Sequence, residues 1–418
     1  MGNPRTASVA PSAIPEDRKE LEIDQATMID DKAFIFACGK NAEGDLGLGN
    51  SDGKVNLPKN VAQLTDFPVK QIAGSNAHSV LMTPSGEVHV SGSTLHGKLG
   101  LEGIEKKSLN KFHVITQVAE YGKVIQVCCS DYQTLCLLAD NSILSFGGAN
   151  MKDKSNVLPD LNTGEIVAGL DGIEITQISC GDYHAAAVDV DGNLYTWGGG
   201  KTKQYNKGQC GHGKDQLQET PKRVEALAHK RIEKVSCGAF HTLALSDDQE
   251  LFTFGSGVYG ECGTGDNSNL LVPKKIDIPK HKAGASHKND KLMKELLNEK
   301  DNKLKTFTEE ASKIIDISAG GKHSMVLTGA GLLYTFGFGD QGQLGHRDTD
   351  NQKKPKLVDD FDGVRIQCIS AGSYHSIVMT AKGDLYSCGL NKDGQLALAN
   401  FKSRTGFQHI TCFAGLNV

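Results

Sequence analysis

Six times along this 418-residue chain, a histidine or glutamine stands fourteen residues before a glycine, with the same punctuation between them. Gly181-Asp182-Tyr183-His184 opens the apolar run 185–188, a turn follows at Asp191-Gly192, and Leu194-Tyr195-Thr196-Trp197-Gly198 closes the unit. The same order runs from Gly238-Ala239-Phe240-His241 to Phe254-Gly255, from Gly320-Gly321-Lys322-His323 to Phe336-Gly337, and from Gly372-Ser373-Tyr374-His375 to Cys388-Gly389. Looser copies run from Ser75-Asn76-Ala77-His78 to Gly92 and from Ser130-Asp131-Tyr132-Gln133 to Gly147. A fixed internal spacing repeated this often means one supersecondary unit used again and again, so the fold must be a repeat architecture.

With Gly39 added, the closing glycines are Gly39, Gly92, Gly147, Gly198, Gly255, Gly337 and Gly389, which predicts seven units. A second glycine signature begins five residues later, as in Gly44-Asp45-Leu46-Gly47, Gly260-Glu261-Cys262-Gly263 and Gly342-Gln343-Leu344-Gly345. Glycines at constant offsets mark tight turns, and the short apolar runs between them read as strands, about four per unit. Units of this length with four strands fit the blades of a propeller, which hides its sheet edges by radial repetition. The expected fold is all-β: a seven-bladed β-propeller over 21–418, preceded by a disordered segment over 1–20. The stretch His409-Ile410-Thr411-Cys412 resembles Gln177-Ile178-Ser179-Cys180, an innermost strand, and is expected to complete the N-terminal blade and close the ring. One helical insertion between blades is expected within 276–312, because Leu292, Met293, Leu296, Leu297 and Leu304 recur at helical spacing among charges.

Composition narrows the function classes. The 48 glycines against 11 prolines point to many turns rather than to a disordered tract, and a formal net charge of −5 does not suggest a broad nucleic-acid-binding face. No apolar run reaches the length of a membrane helix, and residues 1–18 carry no secretory core segment. Eleven cysteines, an odd number without a CxxC pair, predict reduced thiols in an intracellular protein, cytoplasmic or nuclear, and no zinc site. No nucleophile–base pair, phosphate loop or cofactor motif is present, so no catalytic residue, metal or cofactor is expected.

The GxxH run, the closing Trp-Gly or Phe-Gly and the following GxLG resemble the regulator of chromosome condensation repeat family over roughly residues 25–415. That resemblance implies a seven-bladed propeller. The founding member is a guanine-nucleotide exchange factor for the small GTPase Ran that also binds nucleosomes, and other members are scaffolds, traffic regulators and a plant ultraviolet-B photoreceptor. The photoreceptor reading needs a tryptophan cluster, whereas this chain has only Trp197.

The repeated His78, His184, His241, His323 and His375 read as structural, with ring N–H groups satisfying backbone carbonyls between strands. Cys180, Cys237, Cys388 and Cys412 fall at strand positions and read as small core residues. The resemblance implies a GTPase-contacting role for acids beside the GxxH motif. Here these are Asp131, in the matching blade, and Asp182, one position earlier than its counterpart. The family's wedge after the third closing glycine is replaced by the unrelated run 148–156, and no basic tail is present. Lys201, Lys203, Tyr205 and Lys207 form a small basic insertion that reads as a solvated loop. Met1-Gly2-Asn3-Pro4-Arg5-Thr6 matches the N-myristoylation pattern, making Gly2 a lipidation candidate for weak, reversible membrane association. The expectation is a scaffold or regulator that binds a protein partner through one ring face, with exchange activity on a Ran-type GTPase as the alternative and direct nucleic-acid binding disfavoured.

Overall fold

The computed structural model describes residues 34–65, 67–147, 163–200, 202–214, 216–279, 312–361 and 363–413. Within them lie six four-stranded antiparallel sheets and one two-stranded sheet, each following chain order from strand to strand. We call the four-stranded sheets blades A (71–114), B (124–166), C (175–223), D (232–276), E (314–357) and F (366–409). The N-terminal sheet pairs Phe36–Asn41 with Gly53–Asn60.

The fourteen-residue spacing is a strand register. His184 lies directly opposite Gly198, His241 opposite Gly255, His323 opposite Gly337, His375 opposite Gly389, His78 opposite Gly92 and Gln133 opposite Gly147. In five of the blades, A and C to F, the closing glycine also sits where the register against the outer strand shifts. Gly198 has φ +92°, and a Cβ there would come within 2.7 Å of the Tyr183 carbonyl oxygen, so only glycine fits without strain.

The second strand of each blade from B to E is buried along its whole length, as in His184–Asp189 and His241–Ser246. Such a strand has blades on both sides, so its sequence is a continuous apolar run rather than an alternation. Five apolar clusters each join two consecutive blades from A to F, and a sixth joins the N-terminal sheet to blade A. Phe146, Phe254 and Phe336, on the third strands of B, D and E, are fully buried. Each such ring contributes about 2–3 kcal/mol by burial. Four outer strands, 53–60, 218–223, 270–276 and 352–357, carry lysines and one proline each, at Pro58, Pro221, Pro273 and Pro355, which blunts their free edges.

The histidines join blade to blade. His78 Nε2 lies 2.8 Å from Thr134 Oγ1, His184 Nε2 2.7 Å from Thr242 Oγ1, His241 Nε2 3.0 Å from Ser324 Oγ, and His323 Nε2 2.9 Å from Ser376 Oγ. Each hydroxyl belongs to the next blade. Each donates onward to a carbonyl in the preceding blade's glycine loop: Thr134 to Lys98, Thr242 to Gln209, Ser324 to Glu261 and Ser376 to Gln343. The hydroxyl proton is committed to the carbonyl, so the imidazole must donate its Nε2–H. The direct bond from ring to carbonyl expected from sequence is therefore replaced by a relay through a neighbour's hydroxyl. Burial pushes His78, His184 and His323 down to about 3 and His241 to about 4, which keeps the rings neutral. Blade B departs from this pattern, with Gln133 in place of histidine and Ala185 of blade C in place of the hydroxyl.

The six GxxH loops touch in succession and form a closed inner ring. Asn76 of blade A is bonded to Asp131 of blade B, and the Cα of Gly181 packs on the Gly238 carbonyl. Gly238 packs on Gly320, Gly320 packs on Gly372, and the Ser373 hydroxyl of blade F donates to Asn76 Oδ1 at 3.1 Å. The N-terminal sheet bridges F and A farther out, where Lys54 pairs with Asp393 at 3.1 Å and Phe36 meets Phe413 edge-on.

These contacts correct the expected closure. Seven four-stranded blades were expected, and the described residues form six. His409 ends the outer strand of blade F, opposite Tyr386, and Thr411–Phe413 is a single 3-10 turn rather than an innermost strand. The reason is positional. The Ile410 N–H donates to Leu385 O as the Val358 N–H does to Leu333 O, so this segment is the tail of an outer strand, the counterpart of the stretch before Asp359–Phe361. The helical insertion over 289–305, the N-terminal segment with Gly2, and the run 148–156 lie outside the described residues.

Candidate functional site

The residue just before each histidine or glutamine of the loop ring sits half-buried at the ring face. In chain order these are Ala77, Tyr132, Tyr183, Phe240, Lys322 and Tyr374. Consecutive blades therefore bring their rings together. Tyr132 and Tyr183 have centroids 5.6 Å apart, and Tyr183 stacks on Phe240 at 4.7 Å with 20° between planes. Tyr205, from the small basic insertion, lies on Tyr183 at 5.0 Å. The arc resumes across the ring, where Phe338 meets Tyr259 at 4.8 Å and Tyr374 at 6.2 Å, and Lys322 Nζ stands 4.7 Å from the Tyr259 centroid. Stacked or tilted rings with part of their surface open form a rigid, amphipathic contact area.

Asp131 and Asp182, the two acids singled out in the sequence, are brought together on adjoining loops inside this arc. Both Asp131 oxygens accept from Asn76, one from its backbone N–H at 2.8 Å and the other from Nδ2 at 2.9 Å. Asp182 accepts from the Asp131 backbone N–H, yet burial and then the Asp131 charge push its carboxyl up to about 7. Two carboxylates side by side in a half-covered position repel, and a cation from outside would relieve them.

A second set of charges lies beside them and was not foreseen. Lys98, 2% exposed, occupies the glycine loop of blade A. Burial pushes its ammonium down, while Asp131, Asp45 and Glu43 pull it up. Asp45 is 4% exposed, neither of its oxygens has a hydrogen-bond partner among the described residues, and burial raises it to about 6. The equivalent Glu261, one methylene longer, reaches the Tyr259 backbone N–H at 2.7 Å.

The remaining expected residues are structural or lie elsewhere. His78, His184, His241 and His323 serve the relay, and His375 pairs with Gly389 at the less covered flank of blade F. Gly39 approaches Gln395 of the blade F loop. Lys207 turns back to the Lys203 carbonyl at 2.6 Å, so the basic insertion is self-contained and its Tyr205 is the part that reaches the arc. Cys237 and Cys388 are buried strand residues, Cys180 is a half-buried strand residue, and Cys412 lies in the 3-10 turn. Among the described residues no three His, Cys, Asp or Glu side chains are arranged to hold a metal ion, and no helix is long and apolar enough to cross a membrane.

Four-stranded blades in radial succession, linked by buried histidines and opening a ring of loops on one face, define a β-propeller. The chain belongs to the RCC1-like domain family, whose model matches residues 34–411. It is similar to the E3 ubiquitin-protein ligase HERC2 of Homo sapiens, 29% identical over 366 residues, which covers 87% of this chain and 7% of that one. It is also similar to the ultraviolet-B receptor UVR8 of Arabidopsis thaliana, 31% identical over 241 residues, or 58% of this chain and 47% of the receptor. The chain thus spans only part of these relatives. Among solved structures, Prp20p of Saccharomyces cerevisiae, described with its binding to Gsp1p and histones, superposes with a TM-score of 0.72 at 20% identity, covering 90% of this chain and 85% of Prp20p. Human WBSCR16 gives 0.73 at 18% identity, covering 91% and 95%. At these identities the structural likeness shows the fold.

The raised Asp182 carboxyl has a measurable consequence. The unfolded chain loses this proton near pH 4, while the folded chain keeps it until about pH 7. Its contribution to stability is therefore full below pH 4 and lost as pH rises to 7. Asp182→Asn removes that loss, so the variant's melting temperature gains on the wild type between pH 5 and pH 8. A difference that is constant across this range would contradict the raised Asp182 carboxyl.

Proposed function

We propose that this chain is a non-enzymatic interaction propeller that binds a protein partner on the face bearing the GxxH loops. The observation that carries this reading is the arc Tyr132, Tyr183, Tyr205 and Phe240, half-buried and in contact ring to ring beside the Asp131–Asp182 pair. Rigid aromatic rings beside an acidic pair suit a partner that brings basic and apolar side chains. The opposite face carries turns such as Asp191-Gly192, with Arg231 beside them. The test is affinity capture with variants on each face. Tyr132→Ala with Phe240→Ala removes the captured partners, and Arg231→Ala leaves them bound. Equal loss from both faces, or no loss from the first, contradicts the reading.

A second reading is nucleotide exchange on a Ran-type small GTPase, and the closeness of Asp131 and Asp182 favours it. Carboxylates presented to a GTPase act by disturbing its magnesium and phosphate-binding loop, with no bond broken. Release of fluorescent GDP from Ran and related GTPases separates the two readings. Acceleration that disappears in Asp131→Ala and Asp182→Ala supports exchange, and binding without acceleration leaves an interaction propeller.

A further inference from the structure

Three kinds of polar link join consecutive blades; each junction from A–B to E–F has at least two of them, except B–C, which has one. One link is a glutamine clamp on the innermost strands, in which Gln71 exchanges bonds with Val127 and Gln177 with Val235. The B–C junction keeps this one, through Gln126 and Ile178. A second is a serine on one innermost strand that accepts from a backbone N–H of the next: Ser179 from Cys237, Ser236 from Ala319 and Ser318 from Ala371, all near 3.0 Å. Blade B has Cys128 where these serines stand, and its neighbour in blade C is Cys180. The third is the histidine relay, and this junction has Gln133 and Ala185 at the two relay positions. The Gln133 Nε2 has no partner among the described residues.

Where the serine link and the relay are missing, two thiols meet. Cys128 Sγ and Cys180 Sγ lie 2.8 Å apart, well inside ordinary sulfur contact, on strands that abut across the junction. Both are half-buried. A disulfide needs sulfurs about 2.05 Å apart, so closure calls for a shift of less than 1 Å.

We propose that Cys128 and Cys180 form an oxidisable pair whose disulfide covalently joins the innermost strands of blades B and C, with a peroxide as the oxidant. One thiolate attacks a peroxide oxygen. The O–O bond breaks, a sulfenic acid forms, and the released hydroxide takes a proton to leave as water. The second sulfur then attacks the sulfenic sulfur, the S–S bond forms, and hydroxide leaves with the second thiol's proton as another water. Two thiols and one peroxide give one disulfide and two waters. Burial pushes the Cys180 thiol well above its ordinary value, so thiolate is scarce at neutral pH and bridging quickens as pH rises. The bridge spans 52 residues of chain and lies just below Asp131 and Asp182 in sequence, so it ties together the loops that carry them.

The experiment treats the full chain with hydrogen peroxide under native conditions, alkylates the remaining thiols and maps the peptides. The proposal expects a Cys128–Cys180 cross-linked peptide, a mass lower by about 2 Da before alkylation, and a higher melting temperature that dithiothreitol reverses. Cys128→Ser and Cys180→Ser each abolish both effects, whereas Cys368→Ser, at an exposed cysteine, abolishes neither. Cross-links to Cys129 or Cys237 instead, a stability gain that survives Cys180→Ser, or no intramolecular cross-link overturns the proposal. The peptide map of the unsubstituted protein decides the matter even where a serine variant fails to fold.

Discussion

The structure depends on a hydrogen-bond relay that no blade can make alone. A buried imidazole in one blade donates to a hydroxyl in the next, and that hydroxyl donates back to the first blade's glycine loop. Each relay spans a blade boundary, so its strength counts toward the ring and not toward any isolated sheet. A satisfied bond of this kind adds about 1 kcal/mol, but leaving either buried partner unpaired costs about 1–3 kcal/mol. The relay therefore acts mainly by penalising a displaced blade, while the apolar clusters between blades provide most of the attraction.

The fixed histidine positions also fix the loops in front of them. The residue before each histidine or glutamine of the ring lies at its face, so a register constraint within the sheet becomes a constraint on the site. That is why Tyr132, Tyr183 and Phe240 meet ring to ring although they come from three blades. It is also why Asp131 and Asp182 are held near enough to repel. At the junction where the relay is absent the aromatic contact persists and a thiol pair appears beneath it. The closure of the ring follows the same logic. Ser373 and Asn76 join the first and last complete blades on the inside, and the two-stranded N-terminal sheet fills the gap outside them.

Much of this was legible in the sequence because the fourteen-residue spacing is itself a register, fixed by a short hairpin within one blade. The strand order within a blade and the closing glycines follow from it, whereas Asp131 and Asp182 were singled out only through the family resemblance. What was not legible depends on residues far apart in the chain. His184 and Thr242 are 58 residues apart, and His241 and Ser324 are 83 apart, so neither relay shows in a local pattern. The closing strand was misplaced because His409-Ile410-Thr411-Cys412 matches an innermost strand in its letters, whereas the pairing of His409 with Tyr386 and the bond from Ile410 to Leu385 make it the end of an outer strand. The aromatic arc was visible as letters, in the Tyr or Phe before the histidine, but its meaning needed the ring. Cys180 read as a small core residue, and its contact with Cys128, 52 residues away, needed the ring.

The central claim, that neutral histidines donating through Nε2 hold the blades together, is tested most directly by the tautomer and charge of those rings. Long-range proton–nitrogen correlation spectra of the folded protein, taken from pH 7 to pH 4.5, report both. The account predicts that His78, His184, His241 and His323 carry the proton on Nε2 and remain neutral throughout, since burial holds them at about 3 to 4. Protonation near pH 6.5 in the folded state, or a proton on Nδ1, would contradict it.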